Sequence, residues 1–86
     1  MWYVYILKCG DGTLYTGISK DPARRVQEHN LSTIGARYTR SRLPVELVYV
    51  EPSSTRSEAQ KREALIKKMR RHEKETMISH DPLKIA

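Results

Sequence analysis

The chain has 86 residues, of which 38% are hydrophobic and 30% are charged, and this composition is typical of one small globular domain covering residues 1–86. Its apolar runs, such as residues 4–7, are far shorter than the roughly 20 residues that cross a bilayer. The first residues also lack the basic segment of a secretion signal, so we expect a cytoplasmic protein that is neither membrane-spanning nor secreted.

The charge balance favours a polyanionic partner such as nucleic acid. Lysine and arginine together number 16 against 10 acidic residues, which gives a net charge of +6. The one cysteine, Cys9, cannot form an intramolecular disulfide, and the three histidines do not have the spacing of zinc ligands. Cys9 ends an apolar run, which indicates a buried structural thiol in a reducing compartment.

The first two predicted elements form a hairpin. Residues 2–9 are aromatic and β-branched and predict a strand, Gly10-Asp11-Gly12 predicts a turn, and residues 13–18 predict the returning strand. In a three-residue loop, with Gly12 as the left-handed bulge residue, the two residue numbers of each cross-strand pair add up to 22. A two-residue loop would make that sum odd and would reverse the faces of one strand relative to the other.

This register has a consequence for two tyrosines. It places Tyr5 opposite Gly17 and Tyr15 opposite Leu7, so both tyrosines lie on one face of the sheet as diagonal neighbours.

The rest of the chain predicts helices around a third strand. Asp21-Pro22 is typical of a helix start, and Thr55 with Glu58 matches a capping box. Helical spacing gives the second helix an apolar arc of Ala59, Leu65, Ile66 and Met69. The predicted elements are a helix from residue 22 to about 30, a loop over 31–43, a strand over 44–51 stopped by Pro52, a helix from 55 to about 71, and a short helix over 73–80 ended by Pro82. The order ββαβα(α) predicts an α+β fold, a small three-stranded antiparallel sheet with flanking helices.

Two short motifs and the segments that follow them resemble the GIY-YIG nuclease superfamily. Tyr3-Val4-Tyr5 and, after nine intervening residues, Tyr15-Thr16-Gly17 resemble its two half-motifs. Arg25, ten residues after the second tyrosine, and His29, four residues later, match the next block, and residues 59–63 are similar to the segment with the family's metal-binding glutamate. The resemblance covers nearly the whole chain and extends to the small stand-alone, YhbQ-like group, which shares the WYVYIL start and the GARYTR loop.

The resemblance implies a GIY-YIG endonuclease-like fold and divalent-metal-dependent hydrolysis of DNA phosphodiester bonds, directed to structures or ends, in DNA repair or processing. It implies one ion, Mg²⁺ or Mn²⁺, held by Glu63, and magnesium suits a site with few carboxylates because it keeps much of its hydration. Helical spacing alone favours a solvated glutamate paired with Lys67, and it is the resemblance that favours Glu63 as the metal ligand.

The implied catalytic set also includes Arg25 and His29, which share one face of the first helix. Arg25 is the candidate phosphate clamp because a guanidinium matches phosphate geometry bidentately, and its neighbour Arg24 is predicted to be a surface arginine. His29 could transfer a proton or hydrogen-bond a tyrosine or a phosphate, or it could be a structural histidine.

Tyr5 and Tyr15 complete the set. A phenol titrates near pH 10, so a tyrosine acting as general base needs cations nearby. By family analogy Tyr5 is assigned to water activation and Tyr15 to orientation of the phosphate, although these roles could be exchanged. Gly17 leaves room opposite Tyr5 for the close approach of a backbone or a phosphate.

Basic residues outside this set predict a surface for the DNA backbone, or for RNA. Interleaved basic and aromatic residues in the loop after the first helix suit phosphate contact and base stacking. The predicted binding residues are Lys20, Arg37, Tyr38, Arg40, Arg42, Lys67 and Arg70. No segment predicts a base-reading helix, so a partner protein could supply targeting, and the oligomeric state is left open.

The sequence departs from the family pattern in three places. Ile18 stands where many members have lysine, Tyr3 replaces the usual first glycine, and no asparagine counterpart lies near Glu75. These departures support an alternative, a non-catalytic nucleic-acid-binding module with a degenerate centre. A protein-interaction adaptor is a third possibility, which binding insensitive to salt would favour.

Overall fold

The computed structural model describes residues 1–31 and 42–80, and within them three strands and three helices follow the order ββαβαα. The elements are β1 (Trp2–Lys8), β2 (Leu14–Ser19), α1 (Pro22–Asn30), β3 (Glu46–Ser53), α2 (Arg56–Lys68) and α3 (Arg71–His80). The strands form an antiparallel sheet in the order β2-β1-β3. The predicted fold class is confirmed. None of the helices in the described ranges is long and apolar enough to cross a membrane.

The hairpin between β1 and β2 has the predicted three-residue loop. The amide of Cys9 donates to the carbonyl of Thr13 at 2.8 Å, and Gly12 has a φ of 87°, the left-handed conformation of a bulge residue. The predicted register is therefore confirmed, and Tyr5 lies opposite Gly17.

The central strand β1 is covered on both faces. Because successive strand residues point to opposite faces, Val4 and Ile6 pack toward α2 and α3, whereas Tyr5 and Leu7 pack toward α1. Cys9 is buried in the second cluster, as predicted. The sheet thus lies between α1 on one face and the two C-terminal helices on the other.

Side-chain caps start the first two helices where the sequence predicts them. Asp21 Oδ1 accepts from the amide of Arg24 at 3.2 Å, with Pro22 in the first turn of α1. Thr55 Oγ1 accepts from the amide of Glu58 at 3.1 Å at the start of α2.

The prediction that Pro52 stops the third strand is wrong. Pro52 lies inside β3, opposite Tyr3. It is tolerated because β3 is an edge strand, where one side of the backbone has no strand partner and a missing N–H costs no ladder hydrogen bond.

The boundary between the last two helices also differs from the prediction. Met69 leaves the helical conformation, with φ −68° and ψ 148°, so α2 ends at Lys68 rather than near residue 71. The Glu73 carboxylate accepts from the amide of Arg70 at 2.8 Å, which starts α3 two residues earlier than predicted. This helix ends at His80, as predicted, and Pro82, the residue predicted to stop it, lies outside the described residues.

Leu65 was predicted to belong to the apolar arc of α2, and this is wrong. Ala59 and Ile66 are buried and Met69 packs against them, but Leu65 is 58% exposed. Its position on the helix lies about 100° from Ile66, which turns it away from the sheet.

Candidate active site

The Tyr5 side chain lies across the backbone of Gly17, its partner on the edge strand β2. A Cβ atom placed on Gly17 would lie 2.6 Å from Tyr5 Oη and 2.8 Å from its Cζ. The space that the sequence predicts opposite Tyr5 is therefore filled by the phenol of Tyr5 itself, which is only 1% exposed. Glycine at position 17 lets this ring approach the edge of the sheet.

Arg25, from α1, lies close to the Tyr5 hydroxyl. The guanidinium interacts with that hydroxyl and donates from Nη1 to Glu28 Oε1 at 3.0 Å. Burial raises the pKa of Tyr5 to about 12, and Tyr15 adds to the rise while Arg25 opposes it. Partial burial acts to lower the pKa of Arg25, but its bonds with Glu28 and Tyr5 outweigh this and raise it. At neutral pH the pair is a neutral phenol and a permanent guanidinium cation.

His29 supports the second tyrosine from inside the core. Its ring meets the ring of Tyr15 edge to face, with centroids 5.4 Å apart and an angle of 64° between the planes. The side chain is completely buried, and burial lowers the pKa of His29, with the positive charge of Arg25 lowering it further. The imidazole is therefore neutral at pH 7, and it faces Tyr15 rather than solvent.

Glu63 approaches the same tyrosines from α2. Its Oε2 lies 3.4 Å from Lys67 Nζ, so the ion pair that helical spacing predicts is present. Its charge also lies near enough to Tyr5 to contribute to the raised pKa of that phenol. The side chain is 22% exposed, at the border between the helix and solvent. The structure thus brings Tyr5, Tyr15, Arg25 and Glu63 together at the outer edge of the sheet.

A family model described as the GIY-YIG catalytic domain matches residues 1–76. The chain belongs to the GIY-YIG family. Its relatives include a UPF0213 protein of Desulfotalea psychrophila, 58% identical over 77 residues that cover 90% of this chain and 70% of the relative. A UPF0213 protein of Syntrophus aciditrophicus is 52% identical over 80 residues, covering 93% of this chain and 92% of the relative.

Solved structures of related proteins have the same fold. A solution NMR structure of a UPF0213 protein from Bacillus halodurans is 42% identical, with a TM-score of 0.58, and the match covers 92% of this chain and 84% of that one. An NMR structure of a protein from E. faecalis is 45% identical, with a TM-score of 0.60 and coverage of 91% and 82%. GIY-YIG domains form a nuclease superfamily, which implies a nucleic acid substrate.

GIY-YIG nucleases generally use divalent metal ions, and the donor set at this edge fits one kind of ion. Among the residues that the structure describes, no three His, Cys, Asp or Glu side chains lie close enough to share a metal. A single carboxylate beside hydroxyl groups does not suit zinc, which prefers several nitrogen or sulfur ligands. It suits a hydrated magnesium or manganese ion, with Glu63 as the protein ligand.

The predicted binding residues lie in several places. Lys67 lies beside Glu63, whereas Lys20 lies 5.5 Å from the centroid of the Trp2 ring and Arg42 pairs with Asp11 at 3.0 Å. The exposed Arg70 immediately precedes α3. The predicted residues Arg37, Tyr38 and Arg40 lie outside the described residues.

Two positioning residues were not predicted. Glu28 pairs with Arg25 at 3.0 Å and with Arg24 at 3.5 Å, and spacings of three and four residues along a helix were the signal that could have found it. The Asn30 side chain donates to the carbonyl of Val45 at 3.2 Å and accepts from its amide at 2.8 Å, which ties the end of α1 to the start of β3. No local sequence pattern indicates this second contact, because the residues are far apart in the chain.

Replacing Gly17 by alanine is expected to lower both stability and activity. The new Cβ would overlap the Tyr5 phenol, whose ring is enclosed by the core, so overpacking should cost about 1–3 kcal/mol. Displacing the hydroxyl from Arg25 should slow cleavage by about tenfold. Thermal unfolding and cleavage rates measure the two effects.

The double variant Gly17→Ala with Tyr5→Phe is the control for the overlap. Its free energy of unfolding should fall by less than the sum of the losses in the two single variants, and a loss equal to that sum would contradict the overlap.

Proposed function

We propose that the chain, as a single domain over residues 1–86, hydrolyses DNA phosphodiester bonds with a divalent metal ion in the cytoplasm. Its substrates are ends, flaps, nicks or branches that arise in DNA repair or processing, with a partner protein able to supply targeting. The observation that supports this most strongly is the convergence of Tyr5, Tyr15, Arg25 and Glu63 from four different elements at one sheet edge. A sheet core has no need of two phenols, a guanidinium and a carboxylate in one place.

Arg25 binds the non-bridging oxygens of the scissile phosphate. Its guanidinium is a permanent cation, and its bond to Glu28 holds its orientation before the substrate arrives. A preorganised cation of this kind stabilises the charge that builds on the phosphoryl oxygens as water attacks and the bridging P–O bond breaks.

The exposure of the two tyrosines favours the exchanged assignment of their roles. Tyr5 is almost completely buried beside Arg25, and its pKa of about 12 keeps the hydroxyl protonated. Tyr15 is only partly buried and lines an open groove, so its hydroxyl can meet a water molecule. We therefore assign Tyr15, in its deprotonated form, to accept the proton of the attacking water and so become a phenol, and Tyr5 to position Arg25. The buried His29 fixes the Tyr15 ring.

Glu63 is the residue that would hold Mg²⁺ or Mn²⁺, which when bound supplies positive charge to the phosphoryl and leaving oxygens. The carboxylate pairs with Lys67 on α2, and its charge acts on Tyr5.

The assignment of the tyrosines predicts unequal effects of removing each hydroxyl. Tyr15→Phe is expected to slow cleavage by about 10²-fold, the lower range for the loss of a general base. Tyr5→Phe should slow it by only about tenfold, because Arg25 keeps Glu28 as a partner. Single-turnover rates at saturating enzyme measure both, with circular dichroism as the control for folding. A larger loss from Tyr5→Phe would return water activation to Tyr5.

The experiment that tests the function is cleavage of end-labelled single-stranded, duplex, nicked, flap and branched DNA, with RNA versions of the same strands. Each substrate is incubated with Mg²⁺, Mn²⁺ or EDTA. We expect metal-dependent cutting that is strongest on one class of DNA end or junction. Retarded but uncut substrates under all conditions would contradict catalysis.

The non-catalytic binding module is the second candidate function. The observations that favour it are the Glu63–Lys67 ion pair, which gives the glutamate a structural role, and Ile18, which packs against the core where many relatives have lysine. The same assay decides between the two candidates.

A further inference from the structure

A groove runs along the outer edge of β2, beside the candidate active site. Its volume is about 260 Å³, and its lining residues are Leu14, Tyr15, Thr16, Lys67 and Lys74. Two of them connect it to the site, because Tyr15 is a candidate catalytic residue and Lys67 pairs with Glu63 at 3.4 Å. A strand that left the site along this edge would enter the groove at once.

The groove has the charge and polarity of an anion site. Lys67 and Lys74 are its only charged lining residues among those described, and Lys67 pairs with Glu63. Lys74 is half-buried and makes no ion pair within residues 1–31 and 42–80. A strongly hydrated ammonium gains from a nearby anion when part of its water is removed.

The floor of the groove excludes an apolar occupant. Thr16 is 4% exposed, and its hydroxyl has no hydrogen-bond partner among the described residues. A buried hydroxyl without a hydrogen-bond partner costs free energy, and an apolar side chain docked above Thr16 could not supply that partner. A phosphate, or a water molecule bound to it, could form the missing hydrogen bond if the neighbouring side chains shift slightly.

We propose that Lys67 and Lys74 form a second phosphate subsite, which binds the backbone phosphate adjacent to the scissile one. Lys67 follows Glu63 by one turn of α2, about 6 Å along the helix axis. The subsite therefore lies about one helical turn from the carboxylate proposed to bind the metal. The substrate strand then follows the edge of β2 with its bases directed away from the protein. This inference rests on the proposed function, since it names how that same site holds its substrate.

The test compares Lys74→Gln with Lys68→Gln, an exposed lysine of the same basic region that does not line the groove. The probes are flap and single-stranded DNA oligonucleotides in which one phosphate at a time is replaced by an uncharged methylphosphonate. Binding is measured in EDTA, where no metal-dependent cleavage occurs, and the maximal cleavage rate is measured separately in Mg²⁺.

We expect Lys74→Gln to weaken binding about tenfold, whereas Lys68→Gln should weaken it less than about twofold and leave the maximal cleavage rate unchanged. The slope of binding affinity against salt concentration, on logarithmic scales, should correspond to about one fewer phosphate contact in Lys74→Gln. In Lys68→Gln this slope should stay at the wild-type value. Neutralising the one phosphate next to the cleaved bond should weaken wild-type binding equally, with no further loss in Lys74→Gln.

Equal losses of binding affinity in Lys74→Gln and Lys68→Gln would overturn the subsite while leaving the nuclease function intact. The same conclusion would follow if Lys74→Gln weakened binding by its full amount on every DNA with one neutralised phosphate. Binding that obeys the expected pattern without any cleavage would support the subsite and contradict the proposed function. A wild-type chain that binds none of the probes would overturn both.

Discussion

Replacing Glu63 by glutamine is expected to abolish metal-dependent cleavage while DNA binding is kept or becomes tighter. Glutamine has nearly the shape of glutamate but not its charge, and a hard divalent ion depends on that charge for binding. Removing a negative charge beside a phosphate also reduces repulsion. The fold should survive, because the lost ion pair with Lys67 is worth only about 0.3–0.5 kcal/mol at a partly exposed helix position.

Glu75→Gln is the matched control for this variant. Glu75 pairs with Arg71 four residues away at 3.4 Å, the same spacing and distance as the Glu63–Lys67 pair, but on α3. Cleavage rates and binding affinities are measured for both variants under identical metal concentrations. Cleavage at the wild-type rate in Glu63→Gln, or an equal loss in Glu75→Gln, would remove Glu63 from the active site.

Replacing Arg25 by alanine is expected to reduce the cleavage rate by about 10²–10³-fold, comparable to the loss of one oxyanion-stabilising donor. Arg25 is the cation that contacts Tyr5, and the pKa of Tyr5 should rise further without it. The effect should fall on the catalytic rate more than on substrate affinity, because the guanidinium acts most strongly on charge that develops in the transition state.

The neighbouring Arg24 supplies the control. Its side chain is 75% exposed and pairs with the same carboxylate, Glu28, at 3.5 Å, so Arg24→Ala removes an equal charge from the same helix. We expect Arg24→Ala to leave the cleavage rate within about twofold of wild type. Arg25→Lys should recover only part of the activity, because an ammonium cannot bind phosphate bidentately. Equal rates for Arg24→Ala and Arg25→Ala would make Arg25 a surface residue.

Short-range chemistry made much of the fold predictable. The register of the hairpin follows from the Gly10-Asp11-Gly12 loop, since only glycine readily adopts the left-handed conformation observed at Gly12. The helix starts at Pro22 and Arg56 follow from caps whose donors and acceptors lie within three residues. Such features depend on local geometry, and local geometry can be deduced from the sequence.

The wrong predictions concern residues whose environment depends on the tertiary structure. Pro52 fits inside β3 only because that strand lies at the edge, and strand order is not encoded beside the proline. Leu65 is exposed because the sheet covers the Ala59 and Ile66 side of α2 and does not extend to its flank. A pattern of apolar residues gives the face of a helix but not the width of the surface that covers it.

The candidate site also has features that residue spacing predicts and features that only the packing of the whole chain determines. Residue spacing predicts that Tyr5 and Tyr15 share a face and that Arg25 and His29 share a helix face. Exposure decides what each side chain can touch, and it is set by packing of the whole chain. The burial of Tyr5 and His29 could not be deduced from their spacing, and it moves water activation in our proposal to the more accessible Tyr15.

The most direct measurement is the cleavage rate of an end-labelled flap DNA by wild type and Glu63→Gln, each in Mg²⁺ and in EDTA. We predict cutting by the wild type in Mg²⁺ alone, with none in EDTA and none by the variant. Cutting that persists in EDTA, or that is equal in Glu63→Gln, would contradict a metal-dependent nuclease centred on Glu63.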